Sequence, residues 1–284
     1  MTLKAFGLLA FFTLPVVFAV SAEETDQRLA RGEYVFNMGG CASCHSVEDG
    51  EPLTGGLPME TPFGTFYTPN ITADKATGIG GWSDEDFIRA MTQGLAPDNS
   101  HYYPAFPYTS YAKMSSEDLL DLKLYLDKQP SFTQQNKTHD VGFPFNIRPL
   151  LGLWKWVNFD DQSFEVDNTQ STSWNRGAYI VNGPGHCVEC HSPRNLTGGI
   201  QSSGALSGNP DGLDGETMPG LTMDEQNRIS QWSDEDLVFS LQLGMIPDGD
   251  FLGGSMGHVI ENTTSKLSEA DLKAIVDYLK SFKQ

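Results

Sequence analysis

Apolar residues recur at helical spacing in several stretches of the chain, and four of these stretches open on a serine with an aspartate three positions later. The pairs are Ser83 and Asp86, Ser115 and Asp118, Ser233 and Asp236, and Ser268 and Asp271. A serine so placed caps the first free amides of a helix, and acids in the first turn favour its positive end. The pattern therefore predicts four helices. The last in each half runs near Ser116 to Gln129 and near Glu269 to Phe282, with leucine or isoleucine covering one face. Between the helices lie segments dense in glycine and proline, such as GGLPMETPFGTFYTPN, which read as loops. The run from Ala5 to Val20 is apolar without period, follows Lys4 and ends before VSA. It reads as a cleavable export signal, residues 1–22, cut after Ala22. It is short for a membrane span and is interrupted by Pro15, and nothing later in the chain is long and apolar enough to span.

The same order of motifs occurs twice. RGEYVFNMGGCASCH, Arg31 to His45, matches RGAYIVNGPGHCVECH, Arg176 to His191, with one residue inserted. WSDEDF at Trp82 returns as WSDEDL at Trp232, and KMSSEDLLDLKLYLDK at Lys113 returns as KLSEADLKAIVDYLKS at Lys266. The offsets, 150 and 153, are too long for a solenoid repeat and suit a domain. The expected organisation is two copies of one unit, 23–130 and 174–284, joined by 131–173.

All four cysteines lie in the repeated motif: Cys41 and Cys44 before His45, and Cys187 and Cys190 before His191. Cys-x-x-Cys-His is the attachment signature of c-type haem, in which two thiols add to the vinyl groups and the histidine lies under the iron. A redox dithiol has no need of the histidine, and a four-cysteine zinc site seldom separates its pairs by 146 residues. The cofactors expected are two covalently bound c-type haems, each forming most of the core of a mainly α unit of a few helices and long loops. Export agrees with this, because haem attachment takes place outside the cytoplasm, and places the protein in a bacterial periplasm. With 18 basic against 37 acidic residues the formal charge is -19, and loss of Lys4 with the signal makes it -20. That charge disfavours nucleic acid and anionic membranes as partners. It leaves simple solubility or docking to a basic protein.

The stretches TPFGTFYTPNITADKATGIGGWSDEDFIRAM, YPAFPYTSYAKMSSEDLL, FPFNIRPLLGLWKW and WNRGAYIVNGPGHCVECHSPRN resemble the class I c-type cytochromes, in particular the haem-bearing subunits of bacterial periplasmic dehydrogenases. The resemblance spans most of residues 28–283 and is looser between Gly199 and Gln231. It implies two tandem class I domains that relay electrons from an oxidising enzyme to a respiratory acceptor. It also implies a close crossing of the first and last helices of each unit, Gly32 against Tyr125 and Gly177 against Tyr278. For the second haem it implies Met256, 65 residues after His191, as sixth ligand from a loop before the last helix, with His258 as the alternative. Met218 and Met245 read as ordinary core or loop residues.

The first haem is harder. An offset of 150 pairs Met256 with Phe106, which cannot ligate. Within HYYPAFPYTSYAKM the remaining donors are Met114, favoured by the resemblance, and His101, and an open site is the third option. An open position would suit a dihaem redox enzyme, peroxidase-like or thiosulfate-oxidising, as the alternative to an electron carrier. Trp82, Trp232, Asn70 and Arg148 are candidates for the propionate side, with packing, turn or solvent roles as their plainer readings. The joining run FPFNIRPLLGLWKWVNFDD is expected to be buried between the units, docking to a dehydrogenase subunit being the other possibility.

Overall fold

The computed structural model describes residues 22–212 and 215–282, so the expected signal segment lies outside the described residues except for Ala22. The first unit begins with α1 (Ala22–Met38) and α2 (Cys41–His45), continues through α3 (Asp84–Gln93) and α4 (Tyr108–Tyr111), and ends with α5 (Ser116–Leu126). The joining segment contains α6 (Leu150–Asn158). The second unit repeats the series with α7 (Thr172–Asn182), α8 (Cys187–His191), α9 (Asp234–Leu243), α10 (Gly254–Asn262) and α11 (Glu269–Lys280). All four predicted serine caps form: Ser83, Ser115, Ser233 and Ser268 each accept the amide three residues on at 3.1 Å. At Ser83 and Ser233 the aspartate returns the bond to the serine amide, so two otherwise orphan donors are satisfied at once.

The stretch read as a loop after the first motif is partly a hairpin. Strand β1 (Pro58–Thr61) pairs antiparallel with β2 (Gly64–Tyr67), and β3 (Asp140–Val141) from the joining segment adds to β2. The proline and glycines that suggested a loop sit at its start and at its turn. Gly64 has φ 130°, and a Cβ there would lie 2.3 Å from the Asp140 carbonyl, so only glycine lets β3 approach.

In each unit the first helix crosses the last with no side chain between them. A Cβ on Gly32 would stand 2.1 Å from the Asp121 carbonyl oxygen and 2.8 Å from Tyr125 Cβ; on Gly177 it would stand 1.9 Å from the Ala274 carbonyl oxygen and 2.8 Å from Tyr278 Cβ. The first crossing is reinforced by Asp121, which is buried and accepts from Arg28 Nε at 2.6 Å and Arg31 Nε at 2.8 Å. The second is reinforced by Asp271, gripped by Arg176 Nε at 2.9 Å and Nη2 at 2.8 Å.

The two units pack on each other through equivalent residues. Tyr34 donates to Asp271 at 2.7 Å and accepts the Ser268 amide at 2.9 Å. Its counterpart Tyr179 donates to Asp118 and accepts the Ser115 amide at 3.2 Å. Each tyrosine of a first helix thus clasps the N-terminus of the other unit's last helix, an arrangement with the reciprocity of a two-fold dimer. Met38, 1% exposed, completes it by entering the core of the second unit beside Ile180 and Leu272.

The joining segment corrects an expectation. It is not buried between the units. Residues 132–136 run along the first unit, and α6 lies across both: Lys155 Nζ donates to the Gln93 and Gly94 carbonyls at 2.6 and 2.7 Å, while Trp154 Nε1 donates to Thr197 O at 2.7 Å and Asn158 Oδ1 accepts from Asn195 at 2.8 Å. Its other face is open, with Leu150, Leu153, Val157 and Trp156 exposed, Trp156 at 82%. Polar anchors and the buried Leu151, packed with Phe66 and Tyr103, hold this helix in place, and four apolar side chains are left facing outward. Among the described residues no helix is long and apolar enough to cross a membrane.

Gly177→Ala is expected to cost about 3 kcal/mol or more, or to prevent accumulation of folded holoprotein, because the obstruction is backbone and not a movable side chain. Gly142, where a Cβ would meet nothing within 4 Å, is the control. Gly142→Ala should leave stability within about 0.5 kcal/mol, both read by guanidinium unfolding.

Candidate haem sites

Each attachment motif is one short helical turn entered through a left-handed residue, Gly40 before Cys41 and the inserted His186 before Cys187. The turn places both sulfurs and the histidine of a motif together. None of the four cysteines is in a disulfide. Burial pushes the thiols of Cys41 and Cys187 up to about 12, the partner cysteine of each motif adding to it, and burial with Glu189 nearby pushes Cys190 up to about 11. In these apolar surroundings the sulfurs suit the neutral thioether that haem attachment leaves.

The histidines decide the chemistry. His45 Nδ1 lies 2.8 Å from the Pro69 carbonyl oxygen, and His191 Nδ1 lies 2.7 Å from that of Pro219. A carbonyl only accepts, so Nδ1 carries the proton in both rings and Nε2 keeps its lone pair for a metal. Burial lowers both histidine pKa values and favours the neutral imidazole. The residues present therefore fit a covalently held haem with an axial histidine, twice. Sequence reading missed the two carbonyl acceptors; the trace they leave is a proline at corresponding places, in TPN and in MPG.

The first unit matches the Cytochrome c family profile over residues 29–130. The chain is 43% identical over 256 residues to a diheme cytochrome c-type protein of Cereibacter sphaeroides, covering 88% of this chain and 84% of that one. The chain belongs to the dihaem c-type cytochromes. It is also 38% identical to the gluconate 2-dehydrogenase cytochrome c subunit of Pantoea cypripedii, over 98% of this chain and 65% of that one. To the cytochrome c subunit of the quinone alcohol dehydrogenase of Gluconobacter oxydans it is 35% identical, over 93% and 56%. It thus spans between half and two thirds of these two dehydrogenase subunits. As a dihaem cytochrome it carries two covalently bound haems and is an electron carrier, not a catalyst of substrate chemistry.

The candidate sixth ligands fall in different settings. Met114 is 4% exposed, in the core cluster that includes Phe36, Leu53, Phe87 and Tyr111 and against which Cys41, Trp82 and Phe106 pack. His101 pairs with Leu95 in a β-bridge, and its Nε2 lies 3.4 Å from the position a Cβ on Gly152 of α6 would take. Met256 is half-buried and stands in the first turn of α10, not in a loop as expected, while His258 in the same helix is exposed. Met218 is buried and Met245 is 39% exposed, as ordinary core and loop residues are.

Of the propionate candidates, Asn70 is 2% exposed and its Nδ2 donates to Thr77 Oγ1 at 3.1 Å and to the Phe132 and Gln134 carbonyls at 2.8 and 3.3 Å. It pins the joining segment to the first unit. Arg148 Nη1 donates to the His101 carbonyl at 3.2 Å, and its guanidinium lies over the Tyr103 ring. Trp82 and Trp232 are half-buried and pack against the cores of their units.

Lys155 presents its ammonium to the C-terminal carbonyls of α3, 4.7 Å from the centre of the Tyr108 ring, and is 9% exposed. Burial lowers its pKa from 10.5 to about 8. The folded protein therefore releases this proton before the unfolded chain does, and the charged form's cost to stability, complete below pH 8, is relieved between pH 8 and 10.5. Relative to Lys155→Met, the wild type should gain about 1–2 kcal/mol between pH 7 and pH 9.5, measured by denaturant unfolding at both pH values.

Proposed function

We propose that this protein is a periplasmic dihaem cytochrome that receives single electrons from a dehydrogenase and passes them to a respiratory acceptor. The observation that carries the reading is the pair of Cys-x-x-Cys-His turns, each with its histidine oriented by a proline carbonyl, on units braced against one another. A fixed distance between two one-electron centres is what a relay requires. Haem supplies the redox chemistry when bound; the protein supplies ligands, burial and spacing.

In this reading Cys41, Cys44, Cys187 and Cys190 hold the haems, and His45 and His191 are the proximal ligands. The Nδ1 bonds to Pro69 and Pro219 keep each ring oriented and raise the basicity of Nε2. Met256 is the sixth ligand of the second haem and Met114 that of the first. Burial of Met114 in one cluster with Cys41, and the position of His101 against α6, support the thioether over the imidazole. Residues 1–22 are the export signal, and 23–130 and 174–284 are the two domains.

Dehydrogenase subunits among the relatives support the electron donor, and the exposed face of α6 supports the place where it docks. Val141 to Phe159 contains no acidic residue, although the chain has 37 and carboxylates flank it at Asp140, Asp160 and Asp161. An apolar island rimmed by acids fits a partner with an apolar face rimmed by basic residues.

Two outcomes are expected. Met114→Ala should remove the sulfur-to-iron charge-transfer band of one haem, shift its potential and open it to carbon monoxide, whereas the wild type binds none. Retention of both bands and potentials would make Met114 a packing residue and His101→Ala the next variant. Electron entry from a basic donor protein should slow as salt rises from low to physiological ionic strength, since screening shortens the reach of the acidic field. Reduction by a small neutral reductant should not, and stopped-flow traces of the two reactions separate steering from any general salt effect.

A further inference from the structure

The third residue of each attachment motif, Ser43 in CASCH and Glu189 in CVECH, reaches across to the other unit. Glu189 is 9% exposed. Its Oε1 accepts from the hydroxyls of Thr109 and of Ser110, the latter at 2.9 Å, and both donors belong to α4 of the first unit. Arg194 fixes the carboxylate from its own side, with Nη2 at 2.8 Å from Oε2 and 2.6 Å from the Glu189 carbonyl. In the opposite direction α10, which carries Met256, packs on α2 of the first unit. There Ser43 Oγ donates to the His258 carbonyl at 3.5 Å, and Thr263 Oγ1 lies 2.5 Å from where a Cβ on Gly40 would be. Each unit's segment bearing a candidate sixth ligand is therefore held by the other unit's attachment turn.

The two braces differ in strength. A buried carboxylate held by three side chains resists movement far more than a single exposed hydroxyl contact at 3.5 Å. The strong brace acts on the first unit, at the segment whose ligand the repeat does not supply. From Ser110 the chain is tightly wound to Met114: the Ala112 amide donates to Tyr108 O, and the Met114 amide donates to Tyr111 O, both at 2.9 Å. Tyr111, 8% exposed, also sets its ring edge-on to His186, the residue inserted in the second motif, at 5.7 Å. So the turn that leads into Met114 is anchored at Thr109, Ser110 and Tyr111 to residues flanking or within the second haem's attachment helix.

We propose that Glu189, a residue of the second attachment motif, is a positioning residue for the first haem, holding Tyr108–Met114 so that the second unit sets the sixth-ligand side of the first. The proposal rests on the reading that this segment faces the first haem. Because the Thr109 and Ser110 hydroxyls donate to a carboxylate inside the second motif, removing them alters the field beside the second haem and shifts its potential as well.

The test is a double-mutant cycle on the holoprotein, Glu189→Gln against the pair Thr109→Val and Ser110→Ala, with both midpoint potentials assigned to their haems by paramagnetic NMR. Each change alone should shift the potential of the first haem and weaken its methionine charge-transfer band, and the combined variant should shift that potential no further. Additive shifts, or shifts confined to the haem whose own motif or segment was altered, would overturn the proposal. If Glu189→Gln does not accumulate with both haems, the Thr109→Val and Ser110→Ala pair is read at the second haem, where an unchanged potential would be equally decisive against it. Ser43→Ala should move the second haem's potential less than Glu189→Gln moves the first's, and the reverse order would count against the crossed bracing. Met114→Ala keeps the two readings apart. Persistence of both bands in that variant removes Met114 as ligand, while the cycle in potentials still decides the role of Glu189.

Discussion

The structure depends on two helix crossings at which backbone meets backbone. At Gly32 and Gly177 there is no room for a methyl group, and the first and last helices of each unit touch through a glycine and the β-carbon of a tyrosine. That contact fixes where α2 and α8 begin, since each attachment turn follows the crossing helix after only two to four residues. The left-handed residues Gly40 and His186 then turn the chain so that two sulfurs and one imidazole come together. A shift at the crossing would move both motifs away from the carbonyls of Pro69 and Pro219, and with them the tautomer of the histidines.

The second level of order is the interface between the units. Equivalent tyrosines, Tyr34 and Tyr179, clasp equivalent aspartates at the start of the opposite last helix. This uses the same serine-capped N-terminus that starts the helix, so one local device serves both the element and the assembly. The attachment turns meet across the same interface. Two departures from symmetry lie there: a residue inserted as His186, against Tyr111, and glutamate where the first motif has serine, against Thr109 and Ser110.

The joining segment is a third kind of structure, neither linker nor buried wedge. Its polar groups hold it: Lys155 on the end of α3, Asn158 and Trp154 on the loop after the second motif, and Phe132 and Gln134 carbonyls on Asn70. Leu151 packs with Phe66 and Tyr103, while Leu150, Leu153, Trp156 and Val157 are left facing out. Its apolar run fitted either burial or docking, and the need of a relay for a fixed distance between haems favoured burial, but the anchors orient much of its apolar surface outward.

The cofactors and the serine caps were determined by the sequence alone, because each depends on residue identity at short and fixed spacing, and the duplication by the return of the same motifs in the same order. Cys-x-x-Cys-His needs only its own turn, and Ser83 needs only Asp86. The resemblance of longer stretches added the pairing of Gly32 with Tyr125, which separation in sequence hides. Tertiary structure decided what depends on which side chains meet from distant positions. It made a hairpin of the glycine-rich stretch and paired β3 with it, Asp140 with Thr65 and Val141 with Gly64. It turned α6 outward, put Met114 in the core and His101 against α6, and set Met256 in a helix. It brought Glu189 to Thr109 and Ser110, 80 and 79 positions away. No local pattern encodes such a meeting, since a glutamate between two cysteines reads the same whether it faces solvent or holds a neighbour in place.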